Sequence, residues 1–325
     1  MTATPPITST PRATSSSSCP AIRPPPKRPS ADSPESRSAA IFVNEGAGSA
    51  HSARVRTAVA LARRALDADL HVTATRDRDE LRAFLDERLG DYGTAVIVGG
   101  DGSLGVAYNA VADRQDLTLG YIPAGFGNAT AHLLKLPRHP AALAGVLLAG
   151  EARSIDLVSV NGRLALFAGA GWDAQVARRY AAGGAQRLRG WATAVTASLP
   201  DLGRRHRVKV VADGEVIHEG PMILTVASTT PFYGRGLLVN PGARPDKGSL
   251  MARVYAGPAM RMAQEAARWA ARRTPAATGV PATTLTISSL TSRPIPVQAD
   301  GDHIGEMDEW NFEVRPAAVR LIGKW

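Results

Sequence analysis

The sequence predicts an α/β protein in two parts, an N-terminal doubly wound α/β domain and a C-terminal, mainly antiparallel β-rich domain, with a cleft between them. Three observations carry this. The chain has 325 residues, enough for two domains at about 150 residues each. Up to about Leu134, strands that are apolar throughout alternate with helices, the pattern of a parallel sheet covered on both faces. After about Arg153 the rhythm changes to short strands punctuated by Asn161-Gly162 and Asp213-Gly214, the strongest two-residue hairpin signals.

Residues 1–38 come first and are dominated by Pro, Ser, Thr and Ala, with Cys19 the sole cysteine. So few periodic apolar residues cannot offset the entropy of ordering, so a disordered tail is expected. It lacks the apolar core of a secretory signal. A single cysteine excludes an internal disulfide and points to a reducing compartment. The formal net charge is +9, of which the tail carries +3, so anionic partners are favoured: nucleotides, phosphate groups and anionic membrane surfaces. The longest apolar run, Ala141–Ala149, is too short to span a bilayer. Aromatic residues are only 5% and form no stacking platform, which argues against nucleic acid.

From Ala39 the elements follow in order. Ala40–Asn44 reads as a buried strand, Ser52–Leu66 as a helix with Val55, Val59 and Ala62 on one face, and Leu70–Thr75 as a strand. Arg78–Leu89 is a helix, Thr94–Val98 a strand, Gly99–Ser103 a glycine loop and Leu104–Ala112 a helix. Leu117–Ile122 is a strand closed by Pro123, and a second glycine loop leads into a helix at Asn128–Leu134. In the second half, Ile155–Val160 and Leu164–Ala168 flank the first hairpin turn, and Val208–Ala212 and Val216–His218 the second. Met222–Ala227, Leu250–Tyr255, Thr284–Ile287, Ile295–Ala299 and Asn311–Arg315 are further strands, interrupted by arginine-rich helices at Gln175–Ala182, Leu188–Ser198 and Ala259–Arg273.

The sharpest local signal is Gly99-Gly100-Asp101-Gly102-Ser103, between a buried strand and a helix. Its glycines let backbone approach a ligand closely, and its N–H groups with the helix N-terminus suit phosphate oxygens. Asp101 suits Mg²⁺ or a hydroxyl proton, and it equally suits a helix cap. Pro123-Ala124-Gly125-Phe126-Gly127-Asn128 repeats the design one strand later. Two such turns at the carboxyl ends of neighbouring strands converge on one crevice. Competing motifs fail: Gly46-Ala47-Gly48 lacks its third glycine, where His51 stands; a nucleophile elbow would need glycine in place of Asp101; no Gly-Lys-Ser/Thr follows any glycine run.

On these residues the chain resembles the diacylglycerol-kinase-type lipid kinases. Gly99–Ser103 looks like the GGDGT/S signature that they share with sphingosine kinases, NAD kinases and phosphofructokinases. Residues 119–128 resemble the lipid kinases' PaGTgND stretch, 156–173 their D…vng…aglGfda stretch, and Val297–Asp302 their late v.vDGE. The resemblance implies a nucleotide cleft between a domain at 39–152 and a lipid-substrate domain at 153–315, with residues 316–325 returning to the first domain. It implies ATP and Mg²⁺ as cofactors and the hydroxyl of a diacylglycerol-like or other long-chain lipid as acceptor. By the same resemblance the nucleotide contacts are Asn44, Gly99, Gly100, Asp101, Gly102, Ser103, Gly125, Phe126, Gly127 and Asn128. The base is Asp302 with Asp300 beside it, Asp101 sharing the catalytic work, and Asp101 and Asp246 are the metal acids. The departures are Phe126 for threonine, Ala129-Thr130 for Asp-Phe, Val106 for glutamate, Lys247 for aspartate and Asp302 for glutamate. They leave two alternatives beside the kinase: a nucleotide- or lipid-binding relative without turnover, and an NAD-kinase-like enzyme. A lipid kinase without a membrane span is expected in the cytoplasm, in transient contact with the bilayer. Arg178, Arg179, Arg187, Arg189, Arg204, Arg205, Arg207, Trp172 and Trp191 are the candidate contacts. A homodimer is compatible with the sequence.

Overall fold

Four strands, β1 (Ala39–Asn44), β2 (Asp69–Thr73), β3 (Thr94–Gly99) and β4 (Thr118–Pro123), run parallel in the order β2-β1-β3-β4 in the computed structural model, with β2 the exposed edge. The structure describes Met1, residues 38–183 except Arg76, Asp91 and Asp113, and residues 187–325, the side chains of Arg187 and Leu188 apart. The tail expectation therefore lies outside the described residues. Helices α1 (Ala53–Leu66), α2 (Arg78–Arg88) and α3 (Asp101–Val111) connect the strands, and α4 (Ala129–Leu133) and α5 (Pro140–Ala149) follow β4. Helices α1 and α5 pack Val55, Ala62, Leu143 and Leu147 on Ile41, Val96 and Ile122. Helices α2 and α3 pack Leu85, Leu104 and Tyr108 on Phe42, Ile97 and Tyr121. Burial on both faces is why β1, β3 and β4 read as apolar runs.

The second half contains β5 (Glu151–Val160), β6 (Arg163–Ala165), β7 (Phe167–Gly171), α6 (Trp172–Ala182), α7 (Arg187–Ser198), β8 (His206–Ala212), β9 (Glu215–Met222) and β10 (Leu224–Ser228). There follow β11 (Phe232–Tyr233), β12 (Leu237–Leu238), β13 (Leu250–Tyr255), α8 (Ala259–Ala270), β14 (Gly279–Ala282), β15 (Thr284–Ser289), β16 (Ile295–Ala299), β17 (Asp302–Met307) and β18 (Glu309–Gly323). Its strands pair antiparallel with one another. Both dipeptide turns carry left-handed φ, 46° at Asn161 and 87° at Gly162, 48° at Asp213 and 86° at Gly214, as tight hairpins require. Strands β14-β13-β10-β7-β16-β17 form one sheet, whose Ala168, Ala170, Ala252 and Val297 pack on Val158, Val210, Ile287 and Phe312 of the other.

That other sheet is continuous with the parallel one, in the order β2-β1-β3-β4-β18-β15-β8-β9. The link is β18, whose first part pairs antiparallel with β15 and whose end pairs parallel with β4, Arg320 opposite Thr118. Strand β5 runs along β18 on both sides of a register break between Arg315 and Val319. The buried carboxylate of Asp156 pins that break, accepting from the Ala317 N–H at 2.9 Å and the Gly248 N–H at 2.6 Å.

Two elements, α5 and β17, have no counterpart in the sequence expectation, and two boundaries differ from it. The apolar run Ala141–Ala149 belongs to helix α5. Asn311–Arg315 is the middle of a 15-residue strand, and Asp302–Met307, a strand without apolar alternation, was unreadable by periodicity. Helix α3 begins at Asp101, three residues before the expected start, so Asp101, Gly102 and Ser103 form its first turn.

Candidate active site

The β3 strand ends in Gly99, Gly100 is the cap residue of α3, and no side chain closes the helix's first turn. Its N–H groups and the positive end of the helix dipole are thus left for an external anion. Asn44, at the end of β1, donates to Ser103 Oγ at 3.3 Å and accepts from the Gly46 N–H at 3.0 Å. Gly99 admits the Ser103 side chain, which a Cβ there would strike.

The second glycine turn lies directly against the first. A Cβ on Gly125 would fall well inside contact with the Gly100 Cα, so the two backbones can touch only because both residues are glycine. Asn128, left-handed at φ 53°, holds this turn shut. Its Oδ1 accepts from Tyr121 OH at 2.9 Å and the Gly125 N–H at 3.0 Å, and its Nδ2 donates to the Gly125 carbonyl at 2.8 Å. Asp101 bridges the two turns, accepting from the Ala129 N–H at 2.9 Å and from the N–H and hydroxyl of Thr130, each at 3.2 Å. It therefore caps α4 rather than its own helix. Burial pushes its carboxyl up to about 6, against the opposing pull of those bonds. The Phe126 ring carries the Arg235 guanidinium 4.4 Å from its centroid.

The two late acids reach the same place from the β16–β17 turn. A Cβ on Gly102 would stand 3.2 Å from Asp302 Oδ2, and one on Gly105 would stand 3.2 Å from Asp300 Oδ2. Asp302 is paired with Arg78, and Arg163 Nη2 lies 3.6 Å away. Asp300 is buried, left-handed at φ 50°, and accepts from the Leu166 and Phe167 N–H groups at 3.0 and 3.2 Å. Its Oδ2 has no partner. Burial, reinforced by the Asp101 carboxylate, pushes Asp300 up to about 8. Behind this turn, Gln298 accepts from the Gly301 N–H at 2.7 Å and donates to Asp173 at 3.1 Å and to Tyr233 OH. Tyr233 OH donates to Asp173 in turn.

Asn44, both glycine turns, Asp101, Asp300 and Asp302 thus surround one crevice at the carboxyl ends of β1, β3 and β4. Asp246 stands apart: it accepts from Arg244 Nε at 3.3 Å, with Arg153 also beside it and Lys247 next in sequence. Surrounded by cations, that position does not fit Mg²⁺. Among the described residues no three His, Cys, Asp or Glu side chains assemble into a metal site. The sequence reading missed Arg78 and Arg163. Each carried a signal: Arg78 is a cation in the first turn of α2, where the helix dipole disfavours positive charge, and Arg163 directly follows the Asn161-Gly162 turn. Burial and the neighbouring Arg78 lower the pKa of Arg163.

Comparison with known proteins agrees with this geometry. Residues 38–160 match the model of the diacylglycerol kinase catalytic domain, and residues 167–323 match that of the YegS C-terminal NAD kinase beta sandwich-like domain. A protein of Pseudomonas aeruginosa named "Probable lipid kinase YegS-like" is 40% identical over 114 residues, 34% of this chain and 37% of that one. A Mycobacterium tuberculosis protein named diacylglycerol kinase is 33% identical over 167 residues, 48% of this chain and 52% of its own. The matched segment thus spans about a third to a half of these curated relatives. The crystal structure of a diacylglycerol kinase from Bacillus anthracis superposes with a TM-score of 0.70 at 20% identity, covering 89% of this chain and 97% of that one, a likeness of fold. The two models follow one another along almost all of the described chain, which thus carries a diacylglycerol kinase catalytic domain followed by a YegS-type C-terminal domain.

Proposed function

We propose that the protein is an ATP-dependent lipid kinase that phosphorylates the hydroxyl of a diacylglycerol-like or other long-chain lipid at a bilayer surface. The observation that carries this reading is the Asp302 carboxylate beside Gly102, at an uncapped helix start. The start of α3 suits a triphosphate: no side chain caps its first-turn N–H groups, and the glycines let backbone come close to phosphate oxygens. Mg²⁺ takes few protein ligands when it arrives with phosphate oxygens, and Asp101 and Asp302 are the acids nearest that helix start. When bound, Mg·ATP supplies the phosphoryl group and a diphosphate that leaves readily.

The chain's own residues do the rest. The first-turn amides of α3 orient the phosphates, and the Gly125–Asn128 turn, closed on itself, braces the Gly100 backbone beside them. Asp302 accepts the proton of the acceptor hydroxyl as its oxygen bonds to phosphorus. Arg78 and Arg163 hold that carboxylate in place and set two positive charges where negative charge gathers in the transition state. Among the described residues no helix is long and apolar enough to cross a membrane, so the acceptor is reached by peripheral contact. The test is a lipid panel with labelled ATP and Mg²⁺, comparing wild type with Asp302→Asn. Lipid labelling by the wild type, lost in the variant while Mg·ATP binding by calorimetry persists, supports the proposal. Equal labelling by both overturns the role of Asp302, and tight binding without lipid-stimulated ADP release favours a binding protein.

A further inference from the structure

The exposed arginines of α8 gather on one side of the molecule. Met262, Glu265 and Trp269 face inward, while Arg261 and Arg268, with Arg272 and Arg273 just beyond the helix, are exposed. The one acid of this stretch, Glu265, is buried and accepts from the Ala276 N–H at 3.0 Å, so its charge is turned away from the surface. Helix α8 is joined to the crevice by direct contacts. Arg272 lies 5.8 Å from the centroid of the Phe232 ring, which packs 5.8 Å from the His132 ring of α4. The next turn of the β11–β12 hairpin, Gly234-Arg235-Gly236, lies on His132 and Gly127 and puts Arg235 on Phe126. Burial, with the charges of Arg272 and Arg138, lowers the His132 pKa, and Arg138 is itself exposed.

None of Arg138, Arg235, Arg261, Arg268, Arg272 and Arg273 forms an ion pair among the described residues. The arginines that cluster in sequence around α6 and α7 are different. Arg178 pairs with Glu306 at 2.8 Å, and Arg179 and Arg204 both pair with Asp201. Trp172 donates its indole N–H to the Ser198 carbonyl at 2.7 Å and is half-buried against the core. Trp191 remains exposed there, as do Arg189, Arg205 and Arg207.

We propose that the α8 face, with the hairpin tip and Arg138, is the surface that docks on an anionic bilayer and sets the crevice mouth against it. The proposal rests on the lipid-kinase reading for its partner. Six unpaired guanidinium groups beside the site match anionic headgroups, and Met260, 68% exposed at the start of α8, is an apolar side chain positioned to enter the interface. The aromatic rings on this face, Phe126 and Phe232, are covered by guanidinium groups, which leaves no open stacking platform for nucleic-acid bases.

The experiment is flotation of the full chain with phosphatidylcholine vesicles, with and without phosphatidylglycerol, at low and high salt. Wild type should float with the anionic vesicles alone and be released by salt. Arg261→Gln, Arg268→Gln and Arg273→Gln together should weaken partitioning about a hundredfold, at about fivefold per arginine. The three Arg→Lys changes should restore it, which separates lost charge from lost folding. Arg189→Gln, Arg205→Gln and Arg207→Gln together should leave it within about twofold. Equal flotation with neutral vesicles, or loss in the α7 set instead of the α8 set, overturns the proposal. So does wild type that ignores vesicles but binds single-stranded nucleic acid through the α8 arginines. Flotation needs no turnover, so a chain that docks by α8 but labels no lipid overturns the kinase reading and leaves the docking face standing.

Discussion

At Gly99–Ser103 the chain passes from β3 into α3 with no side chain closing the helix start, whereas at Gly125–Asn128 the turn is tied to itself and to Asp101. The sequences look alike, each with glycines between a buried strand and a helix. The difference lies in who satisfies the donors. In the first turn they are left open, and Asp302, Arg78 and Arg163 gather in front of them. In the second, Asn128 and Asp101 consume them, and the five-residue α4 is a product of that capping. A glycine motif therefore marks close backbone approach, and only in the first turn does that approach leave helix N–H groups open.

The largest expected effect sharpens this contrast on the open side. Asp302→Asn keeps the shape of the side chain and removes its basicity, so lipid phosphorylation should fall about 10²–10⁴-fold, the range for a positioned general base. Asp302 is 40% exposed, so the melting temperature should stay within a few degrees. A steady-state assay beside a thermal melt checks both. A large stability loss without a rate effect would make Asp302 a turn residue.

The next prediction sets one glycine of each turn against the other. Gly125→Ala forces a methyl group into the Gly100 backbone, and backbone cannot yield as a side-chain end can. The cost should be about 1–3 kcal/mol or more in urea unfolding. Gly102→Ala meets instead the carboxylate end of Asp302, so stability should change little while turnover drops. If Gly102→Ala destabilised the fold as much as Gly125→Ala, the two turns would not differ as described.

How far this was legible beforehand varied with the kind of signal. The parallel half could be read because β1, β3 and β4 are buried on both faces and its first two helices start at the caps Ser52 and Asp77. Both hairpin turns were readable from residues that tolerate left-handed φ. The convergence of the glycine turns followed from their places on adjacent strands. The start of α3 was missed because two glycines lower helix propensity, although here they serve as its first turn. Strand β17 was missed because its exposed residues do not alternate. The pairing of Asp302 with Arg78 joins positions 224 residues apart, and no local pattern encodes it. The α6–α7 arginines looked like a patch in sequence, but their partners, Glu306 and Asp201, come together with them only in the fold.

A smaller effect is expected from the residue that closes the second turn. Asn128→Ala leaves the buried Tyr121 hydroxyl and the Gly125 N–H with the Gly99 carbonyl alone, removes the amide donor to the Gly125 carbonyl, and leaves alanine at φ 53°. The cost should be about 2–3 kcal/mol in chemical denaturation, from the lost bonds and the left-handed conformation. Mg·ATP affinity should fall less than for changes in the first turn. Equal losses of affinity from both turns would mean that the second also touches the nucleotide directly.

The smallest effect concerns Asp300, which stands one helical turn behind the open start of α3, against Gly105. With its carboxyl pushed up to about 8 by burial and then by Asp101, it is neutral at pH 7 in the folded protein. Unfolded, it ionises near the ordinary value of about 4. Between these values the folded chain binds the extra proton, so the group's stabilising contribution is complete below about 4 and is lost as pH rises towards 8. Asp101 and Asp173, each pushed up to about 6 by burial, add a fall of the same sign that ends earlier. Asp300→Asn keeps an acceptor for the Leu166 and Phe167 N–H groups and carries no charge at any pH. Its melting temperature should fall less steeply than that of wild type up to about pH 6 and then flatten, while wild type goes on losing stability to about pH 8. The gap should be about 2–4 °C for each kcal/mol in a unit of this size. Thermal melts of both proteins across pH 5–8.5 decide it, and parallel curves would mean that Asp300 is already ionised behind the open turn.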